Sequence, residues 1–539
     1  MKLKIAILSA SIALSSQAMA ASNDITVEQD GYGNRLNAYQ FGTGGTASYQ
    51  QSGWRSSAEL RQYGQGNNAS LMQNGYRGQA TLLQRGYLNS AAIDQDGMRS
   101  RASITQRGQN NDAAVTQRGW RSDATVTQRG YANQSAITQS GYRNRATTLQ
   151  AGQTNTSTVA QAGMLGTVDI TQRGYGNQSD VTQGENAYTN AVTSVQRGTY
   201  NESTVEQNGY FGTVDVTQRG YGNESDVTQG ADGYTNAVTS VQRGTYNTSS
   251  VEQNGYFGTV DVTQRGYGNE SDVTQGADGY TNAVTSVQRG TYNESTVEQN
   301  GYFGTVDVTQ RGYGNQSDIT QGADGYTNSV TSMQRGTYNE STVTQDGYFD
   351  TADITQRGYG NQSDVTQGGY TNSVTSLQKG TYNTSSVDQS GYFGRVNVSQ
   401  SGYENDASVT QQGYRNQADV MQSGEFNTAE LSQSGEYNRG DISQSGYGND
   451  STITQSGWRN MATTEQDGTY NTAEITQTGY RDIADIYQNG YGNSAVISQA
   501  AGGWGSWATN RASIVQYGYG NTASVTQSGG ANTANVYQY

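Results

Sequence analysis

The stretch VTQRGYANQSAITQSGYRN, residues 126–144, states one pattern twice. Gln128 is followed by Gly130 and Asn133, and Gln139 starts the same pattern again eleven residues later. Following this glutamine in both directions gives 46 such units along the 539 residues. A period kept over so many units is typical of a solenoid and not of several unrelated domains.

The first part of each unit has the alternation of a β-strand. In SAITQ, residues 135–139, Ser135, Ile137 and Gln139 fall on one face of an extended segment, and the two residues between them fall on the other. Val, Ile, Leu and Thr recur in these segments along the chain, and such residues favour strands. The pattern therefore predicts one strand per unit, with the glutamine on the same face as the aliphatic residue.

The second part of each unit turns the chain. In SGYRN, residues 140–144, Gly141 can adopt a positive φ, as can Gly130 in the preceding unit, and Asn144 can hydrogen-bond to nearby backbone. An eleven-residue repeat is also compatible with a right-handed coiled coil. Glycine in every unit, with β-branched residues between the glycines, disfavours that helical alternative.

These features predict an all-β fold, a cross-β β-solenoid built from 11-residue strand–turn units. Two units make a rung of about 22 residues, and 46 units make roughly 23 rungs, stacked about 4.8 Å apart. Equivalent residues then lie above one another, so that glutamine and asparagine amides can form ladders along the stack. The residues predicted to take part in such ladders and in self-assembly include Gln128, Asn133, Gln139, Asn144, Gln310, Gln321, Gln527 and Gln538.

The N-terminus has the features of a secretory signal over residues 1–20. Lys2 and Lys4 precede a short apolar run, and Ala18 and Ala20 fit a cleavage site. The apolar run is shorter than the roughly 20 residues that a transmembrane helix needs, so no membrane insertion is predicted. The mature chain is expected to be secreted.

The rest of the chain divides by its regularity. The repeats run over residues 21–499 and resume over residues 512–539. Between them, residues 500–511 (AAGGWGSWATNR) form an irregular loop rich in Gly and Trp. A second feature is a near-identical segment that begins at Gly212 and returns at Gly258, which indicates growth by duplication.

Composition excludes several functional classes. The chain has 31 basic and 46 acidic residues, a net charge of −15, which disfavours binding to nucleic acid or anionic lipid. It has no histidine and no cysteine, and therefore neither the usual general base, nor a thiol nucleophile, nor a standard zinc site. We predict no enzymatic activity, no catalytic or metal-binding residues and no cofactor.

The pattern Q-x-G-x-x-N-x-[A/S]-x-x-x-Q, seen from Gln128 to Gln139, resembles the curlin repeat, and the resemblance extends over residues 25–539. Proteins of that family are subunits of curli, the extracellular amyloid fibres of bacterial biofilms. The resemblance implies a subunit that polymerises with itself into a cell-surface fibre for biofilm matrix, adhesion and cell aggregation. It also implies a surface nucleator subunit, an outer-membrane secretion pore and periplasmic chaperones as partners.

Some units depart from the repeat at the turn asparagine. Four positions that should carry it hold other residues and are expected to be local weak points: Gly212, Gly258, Gly304 and Asp350.

Two other functional classes fit a secreted solenoid. A soluble β-solenoid adhesin accounts equally well for the periodicity, but the sequence shows no capping segment at either end of the repeats. An ice-binding solenoid would need a regular outward Thr-x-Thr array. That pair occurs at Thr125 and Thr127, but neighbouring units replace it with Ser, Asp or Glu. Open terminal rungs favour polymerisation, because an unpaired strand edge is a template for another chain.

Overall fold

The structure, a computed structural model, describes residues 23–500 and 509–539. Within these residues every regular element is a β-strand, and the strands number 46. The chain forms two compact units, residues 1–268 and 269–539, which are described separately. In both units the odd-numbered strands form one parallel sheet and the even-numbered strands form a second parallel sheet.

The first unit holds eleven rungs, each an odd strand followed by an even strand. Its odd strands are β1 (Asp24–Gln29), β3 (Thr46–Gln51), β5 (Asn68–Gln73), β7 (Ser90–Gln95), β9 (Asp112–Gln117), β11 (Gln134–Gln139), β13 (Thr156–Gln161), β15 (Gln178–Gln183), β17 (Glu202–Gln207), β19 (Glu224–Gln229) and β21 (Thr248–Gln253). Its even strands are β2 (Arg35–Thr43), β4 (Ser57–Gln65), β6 (Gln79–Tyr87), β8 (Arg101–Gln109), β10 (Asp123–Tyr131), β12 (Arg145–Gln153), β14 (Thr167–Tyr175), β16 (Ala191–Thr199), β18 (Thr213–Tyr221), β20 (Ala237–Thr245) and β22 (Thr259–Tyr267).

The second unit holds twelve rungs of the same design. Its odd strands are β23 (Glu270–Gln275), β25 (Glu294–Gln299), β27 (Gln316–Gln321), β29 (Glu340–Gln345), β31 (Gln362–Gln367), β33 (Thr384–Gln389), β35 (Asp406–Gln411), β37 (Thr428–Glu436), β39 (Asp450–Trp458), β41 (Thr472–Gln477), β43 (Ser494–Ala500) and β45 (Thr522–Ser528). Its even strands are β24 (Ala283–Thr291), β26 (Thr305–Tyr313), β28 (Ser329–Thr337), β30 (Thr351–Tyr359), β32 (Ser373–Thr381), β34 (Arg395–Tyr403), β36 (Gln417–Glu425), β38 (Arg439–Tyr447), β40 (Met461–Thr469), β42 (Ile483–Tyr491), β44 (Arg511–Tyr519) and β46 (Thr533–Gln538).

The register stacks equivalent residues directly. Gln128 in β10 lies between Gln106 in β8 and Gln150 in β12, so that each rung advances the chain by 22 residues. Where a turn is two residues longer, the offset becomes 24 and the register is kept, as for Gln172 and Gln196. The predicted fold class, an all-β β-solenoid of about 23 turns with about 22 residues per turn, is confirmed.

A thin core lies between the two sheets. Val126 and Ile137 are fully buried, whereas Thr138, next to Ile137, is exposed. The alternating residues of each strand thus divide between core and solvent, as expected for extended chain packed on one face. Glutamine, asparagine and serine share the interior with the aliphatic residues, and this polar content sets the core apart from an ordinary one.

The two predicted turn glycines serve different purposes. Gly130 has φ 128°, as expected, but Gly141 does not have a positive φ, and Arg143 takes the left-handed conformation in that turn with φ 56°. The prediction was therefore wrong for Gly141. Glycine is needed there for another reason, because a Cβ atom would lie 1.7 Å from the carbonyl oxygen of Gly163 in the next rung.

Two predicted features lie outside the described residues. The signal segment, with Ala18 and Ala20, precedes residue 23, and most of the loop at 500–511 falls in the interval 501–508. Among residues 23–500 and 509–539 there is no helix of the length and apolarity that a membrane crossing requires.

Candidate functional site: the amide ladders

The glutamines of the even strands form a buried ladder of side-chain amides. The Nε2 of Gln128 donates to Oε1 of Gln150 in the next rung at 2.9 Å. The same Nε2 also lies 2.7 Å from the carbonyl oxygen of Asp112 and 3.0 Å from that of Asn133. A buried amide left without partners costs about 1–3 kcal/mol, and the ladder removes this cost at every rung.

The glutamines of the odd strands form a second ladder. Gln139 donates to Oε1 of Gln161 at 2.8 Å and to the carbonyl oxygen of Asp123 at 3.1 Å. In the second unit, Gln310 belongs to the even-strand ladder and Gln321 to the odd-strand ladder, and they donate to the next glutamine at 2.9 Å and 3.0 Å. In each of these glutamine–glutamine bonds the amide nitrogen donates toward the C-terminal rung. Both ladders therefore have a direction.

The turn from an even strand to the next odd strand carries an asparagine ladder. Asn133 donates its Nδ2 to Oδ1 of Asn111 at 2.9 Å and to the carbonyl oxygen of Gly152 at 3.1 Å. Its backbone N–H donates to the same Oδ1 of Asn111 at 3.2 Å. Each asparagine in this even-to-odd turn thus connects the rung before it to the rung after it.

The turn from an odd strand to the next even strand is built differently. Asn144 donates to the carbonyl oxygen of Gly163 at 2.9 Å and accepts the N–H of Gly166 at 2.9 Å. The expected asparagine-on-asparagine ladder does not form at Asn144, because the equivalent residues of the adjacent rungs are Ser122 and Gly166. At Asn144 the rungs are therefore joined by bonds from side chain to backbone.

Glycine replaces asparagine in this turn without leaving a void. The N–H of Gly212 donates to Oδ1 of Asn190 at 2.8 Å, so the rungs stay connected. A Cβ atom on Gly212 would lie 2.2 Å from Oε1 of Gln229. The absence of a side chain at Gly212 therefore leaves room for Gln229 of the odd-strand ladder.

Two buried carboxyl groups occupy the asparagine position of the odd-to-even turn. Asp350 accepts the N–H of Asn372 at 2.7 Å through Oδ1, but its Oδ2 is buried without a partner. Asp482 is likewise buried, with an unpartnered Oδ2. Burial raises the pKa of Asp350 to about 6 and also raises the pKa of Asp482.

Serine hydroxyls form cross-sheet pairs in alternate rungs. Ser179 pairs with Ser194 at 2.9 Å and Ser225 pairs with Ser240 at 3.0 Å. In the rung between them, the hydroxyl of Ser203 is buried and has no partner. The duplicated segment that begins at Gly258 keeps the same alternation of paired and unpaired serines.

The serine alternation offers two matched substitutions with opposite expected effects on the stability of the fold. Ser203→Ala removes an unpaired buried hydroxyl and is expected to stabilise the fold by up to about 1 kcal/mol. Ser225→Ala leaves Ser240 unpaired and is expected to destabilise it by about 1–2 kcal/mol. Denaturant midpoints of the two variants test this, and a lower midpoint for Ser203→Ala than for Ser225→Ala would contradict the pairing.

Tyrosines form a zigzag column along the even-to-odd turns. Tyr200 lies edge-on between Tyr175 and Tyr221, with ring centroids 5.2 Å and 5.7 Å apart. Hydrogen bonding to the hydroxyl of Tyr175 raises the pKa of Tyr200. Gly176 makes this packing possible, because a Cβ atom there would lie 2.7 Å from the ring of Tyr200. In the sequence, this column corresponds to the motifs GYGN and GTYN, which alternate at the C-terminal ends of successive even strands.

The side chains of the ladders pair one rung with the next. No group of three or more acidic side chains in the described part of the chain is placed to hold a metal ion. The amides of the ladders donate and accept hydrogen bonds between identical rungs, which is the chemistry of a stacked β-structure.

Comparison with known protein families agrees with this geometry. The curlin-associated repeat matches the chain at residues 79–108, 402–435, 424–457 and 510–539. No curated protein matches the chain significantly. The matched segments lie in both units and carry the same glutamine ladders as the units around them. The chain therefore carries curlin-associated repeats in these segments.

Proposed function

We propose that this chain is the structural subunit of an extracellular, curli-like amyloid fibre that grows by adding rungs end to end. Its family likeness supports roles in biofilm matrix, adhesion and cell aggregation on the surface of a bacterium. The same likeness supports a nucleator subunit, an outer-membrane pore and periplasmic chaperones as partners.

The observation that carries the proposal is the direction of the glutamine ladders at the outermost described rungs. At the N-terminal rung, Gln29 and Gln40 donate to the next rung, and Oε1 of Gln40 is buried without a partner. At the C-terminal rungs, Gln527 and Gln538 donate only to the carbonyl oxygens of Arg511 and Thr522, at 2.9 Å and 3.1 Å. One end thus offers acceptors and the other end offers donors.

These two ends are complementary between copies. A head-to-tail contact without rotational closure produces an open filament. The inward residues at the ends support such a contact, because Ile25, Val27 and Val536 are only half-buried, whereas their equivalents in interior rungs are fully buried. Adding a copy would bury these side chains and extend both ladders.

Leucine substitutions at the ladder ends test the proposal. Gln527→Leu together with Gln538→Leu removes two junction bonds of about 1 kcal/mol each, so that the soluble concentration remaining beside fibres should rise roughly 30-fold. Gln310→Leu together with Gln321→Leu is the matched control, since these residues pair within one chain. It should lower the stability of the fold more than the affinity of the junction.

The measurement is seeded elongation followed by thioflavin fluorescence, with the residual soluble protein quantified at the plateau. Equal soluble concentrations for the terminal and interior variants would show that the terminal rungs have no special role in the junction between copies. A chain that folds but never elongates would favour the soluble adhesin.

A further inference from the structure

One outward position of the even strands carries a column of positive charge. In both units the residue after the ladder glutamine is basic over five consecutive rungs, and neighbours are in direct register. Their side chains are exposed and recur about every 4.8 Å. The column comprises Arg173, Arg197, Arg219, Arg243 and Arg265 in the first unit, and Arg289, Arg311, Arg335, Arg357 and Lys379 in the second.

This column is not neutralised within the described part of the chain. The two ion pairs found there are Arg61 with Glu59 and Arg439 with Asp441, and neither includes a residue of the column. Like charges directly opposite one another in adjacent strands are destabilising. A chain with more acidic than basic residues nevertheless stacks five basic side chains in one line within each unit.

Carboxylates are stacked on the other side of the same turn. Glu202 and Glu224 are adjacent in register at the start of successive odd strands, as are Glu270 and Glu294 in the second unit. Burial, followed by neighbouring carboxylates, raises the pKa of Glu224 and of Glu294. The outward positions of the odd strands contain no Lys or Arg to offset them.

The tyrosine zigzag lies between these two charged columns. The chain passes from Arg197 through Tyr200 to Glu202, and this order is repeated along the edge. Tyr200 and Tyr246 are half exposed, at 50% and 49%. A continuous aromatic stripe with a charged rim is typical of an interaction surface, and Tyr and Arg are the residues enriched in such contacts. We name the basic column, the tyrosine zigzag and the glutamates of this edge the edge strip.

We propose that the edge strip is the lateral contact between two copies of this chain that run in the same direction. A two-fold axis parallel to the stack places the arginine column of one copy opposite the glutamate column of the other, and tyrosine against tyrosine. In the antiparallel arrangement, arginine would face arginine. The contact rests on the proposed function, because it joins the filaments formed by end-to-end growth.

A second copy is the partner that the geometry favours. Two identical solenoids have the same rise per rung, so that the paired glutamates of one copy keep a fixed register with the arginines of the other. The contact is self-complementary, as two-fold interfaces between identical subunits are. An acidic polysaccharide could neutralise the arginines, but it would also meet the glutamates and would need a matching repeat.

The test compares two sets of variants with the same loss of charge. The edge-strip variant replaces four arginines with glutamine: R197Q, R219Q, R243Q and R265Q. The control variant makes the same change on the odd-to-even turn: R55Q, R77Q, R121Q and R143Q. Filaments are counted per fibre by electron cryo-microscopy, and elongation rates are measured in parallel.

Wild type and control should form paired filaments at low salt, and the edge-strip variant should form single filaments with an unchanged elongation rate. At 1 M salt the wild type should also be single, because the screening length falls to about 3 Å. Paired filaments of the edge-strip variant at the wild-type frequency would overturn the proposal. Wild-type filaments that stay single but sediment with a polyuronate, which the variant does not bind, would overturn it in favour of a polyanion.

A charge exchange keeps the proposal testable if the glutamine variant misfolds. One chain carries R197E, R219E, R243E and R265E, and the other carries E202R, E224R, E270R and E294R. Each should give single filaments alone, and a mixture of the two should pair. If no filaments form at all, the end-to-end proposal fails, and sedimentation then tests the lateral contact. Dimers of the wild type together with monomers of the variants would support the lateral contact. Monomers of the wild type would overturn it.

Discussion

Gly358→Ala should break the stack at one rung, whereas Gly368→Ala, ten residues away, should leave it intact. Gly358 occupies the position of Gly130, has φ 130°, and a Cβ atom there would lie 1.8 Å from the carbonyl oxygen of Gly380. Gly368 has an ordinary φ and nothing within 4 Å of its Cβ position. Since backbone cannot move aside in a close-packed parallel stack, the Gly358 substitution should cost more than about 4 kcal/mol.

Guanidinium midpoints of the assembled protein measure this difference. Limited proteolysis should also cut the Gly358→Ala chain near residue 358 and leave the Gly368→Ala chain uncut there. Indistinguishable midpoints for the two variants would mean that the rungs are not packed as closely as the structure shows.

Lowering the pH should stabilise the second unit, because Asp350 holds a proton more tightly in the folded chain than in the unfolded chain. Its ordinary pKa of 3.8 is raised to about 6 by burial in the folded chain. Between about pH 4 and pH 6 the folded state holds a proton that the unfolded state has lost, so stability falls as pH rises through this interval. A shift of about two pKa units corresponds to about 3 kcal/mol, most of it lost by pH 7.

The structure gives a reason for this proton. The asparagines of the odd-to-even turn donate to a glycine carbonyl nineteen residues later, as Asn328 does to Gly347 and Asn372 to Gly391. The equivalent acceptor for Asp350 is the carbonyl of Gly369, to which the Asp350 side chain can donate only when its carboxyl is protonated. Below about pH 6 the protonated aspartic acid of the folded chain can therefore replace the asparagine amide.

Asp350→Asn is the matched variant. It should be more stable than the wild type at pH 7 by about 3 kcal/mol and equal to it near pH 4. Denaturant midpoints from pH 4 to pH 8 test the prediction. A constant difference between the two chains over this range would show that Asp350 does not titrate in the folded state.

The strands and their buried faces could be predicted because they depend on local alternation. Ile137 and Gln139 share a face in SAITQ, and the structure buries both. The eleven-residue period likewise gave the number of strands. Both properties follow from the geometry of extended chain, which needs no knowledge of neighbouring rungs.

The difference between the two turns could not be read from the eleven-residue period. The fold repeats every 22 residues, and the even strands are longer than most of the odd ones, as β10 and β11 show. Asn133 and Asn144 therefore occupy different turns and make different hydrogen bonds. The positive φ at Arg143 was also missed, because a non-glycine residue rarely adopts it and only the stacked rungs impose it.

The columns of side chains were visible in the sequence only after the rungs were paired. Tyr175 and Tyr200 lie at different positions of their units, and their contact depends on the pairing of β14 with β16. The arginine column needs the same pairing. Interactions between rungs are long-range in sequence. Their pattern follows the roughly 22-residue period of the rung and not the 11-residue period of the unit.

We expect the chains to stack end to end into one continuous β-structure. The chain without residues 1–20 should be purified, kept in plain buffer at micromolar concentration, and examined by fibre diffraction after alignment. End-to-end stacking predicts fibres with a meridional reflection near 4.8 Å and an equatorial reflection near 10 Å. A folded chain that stays monomeric by light scattering for days under these conditions would contradict it.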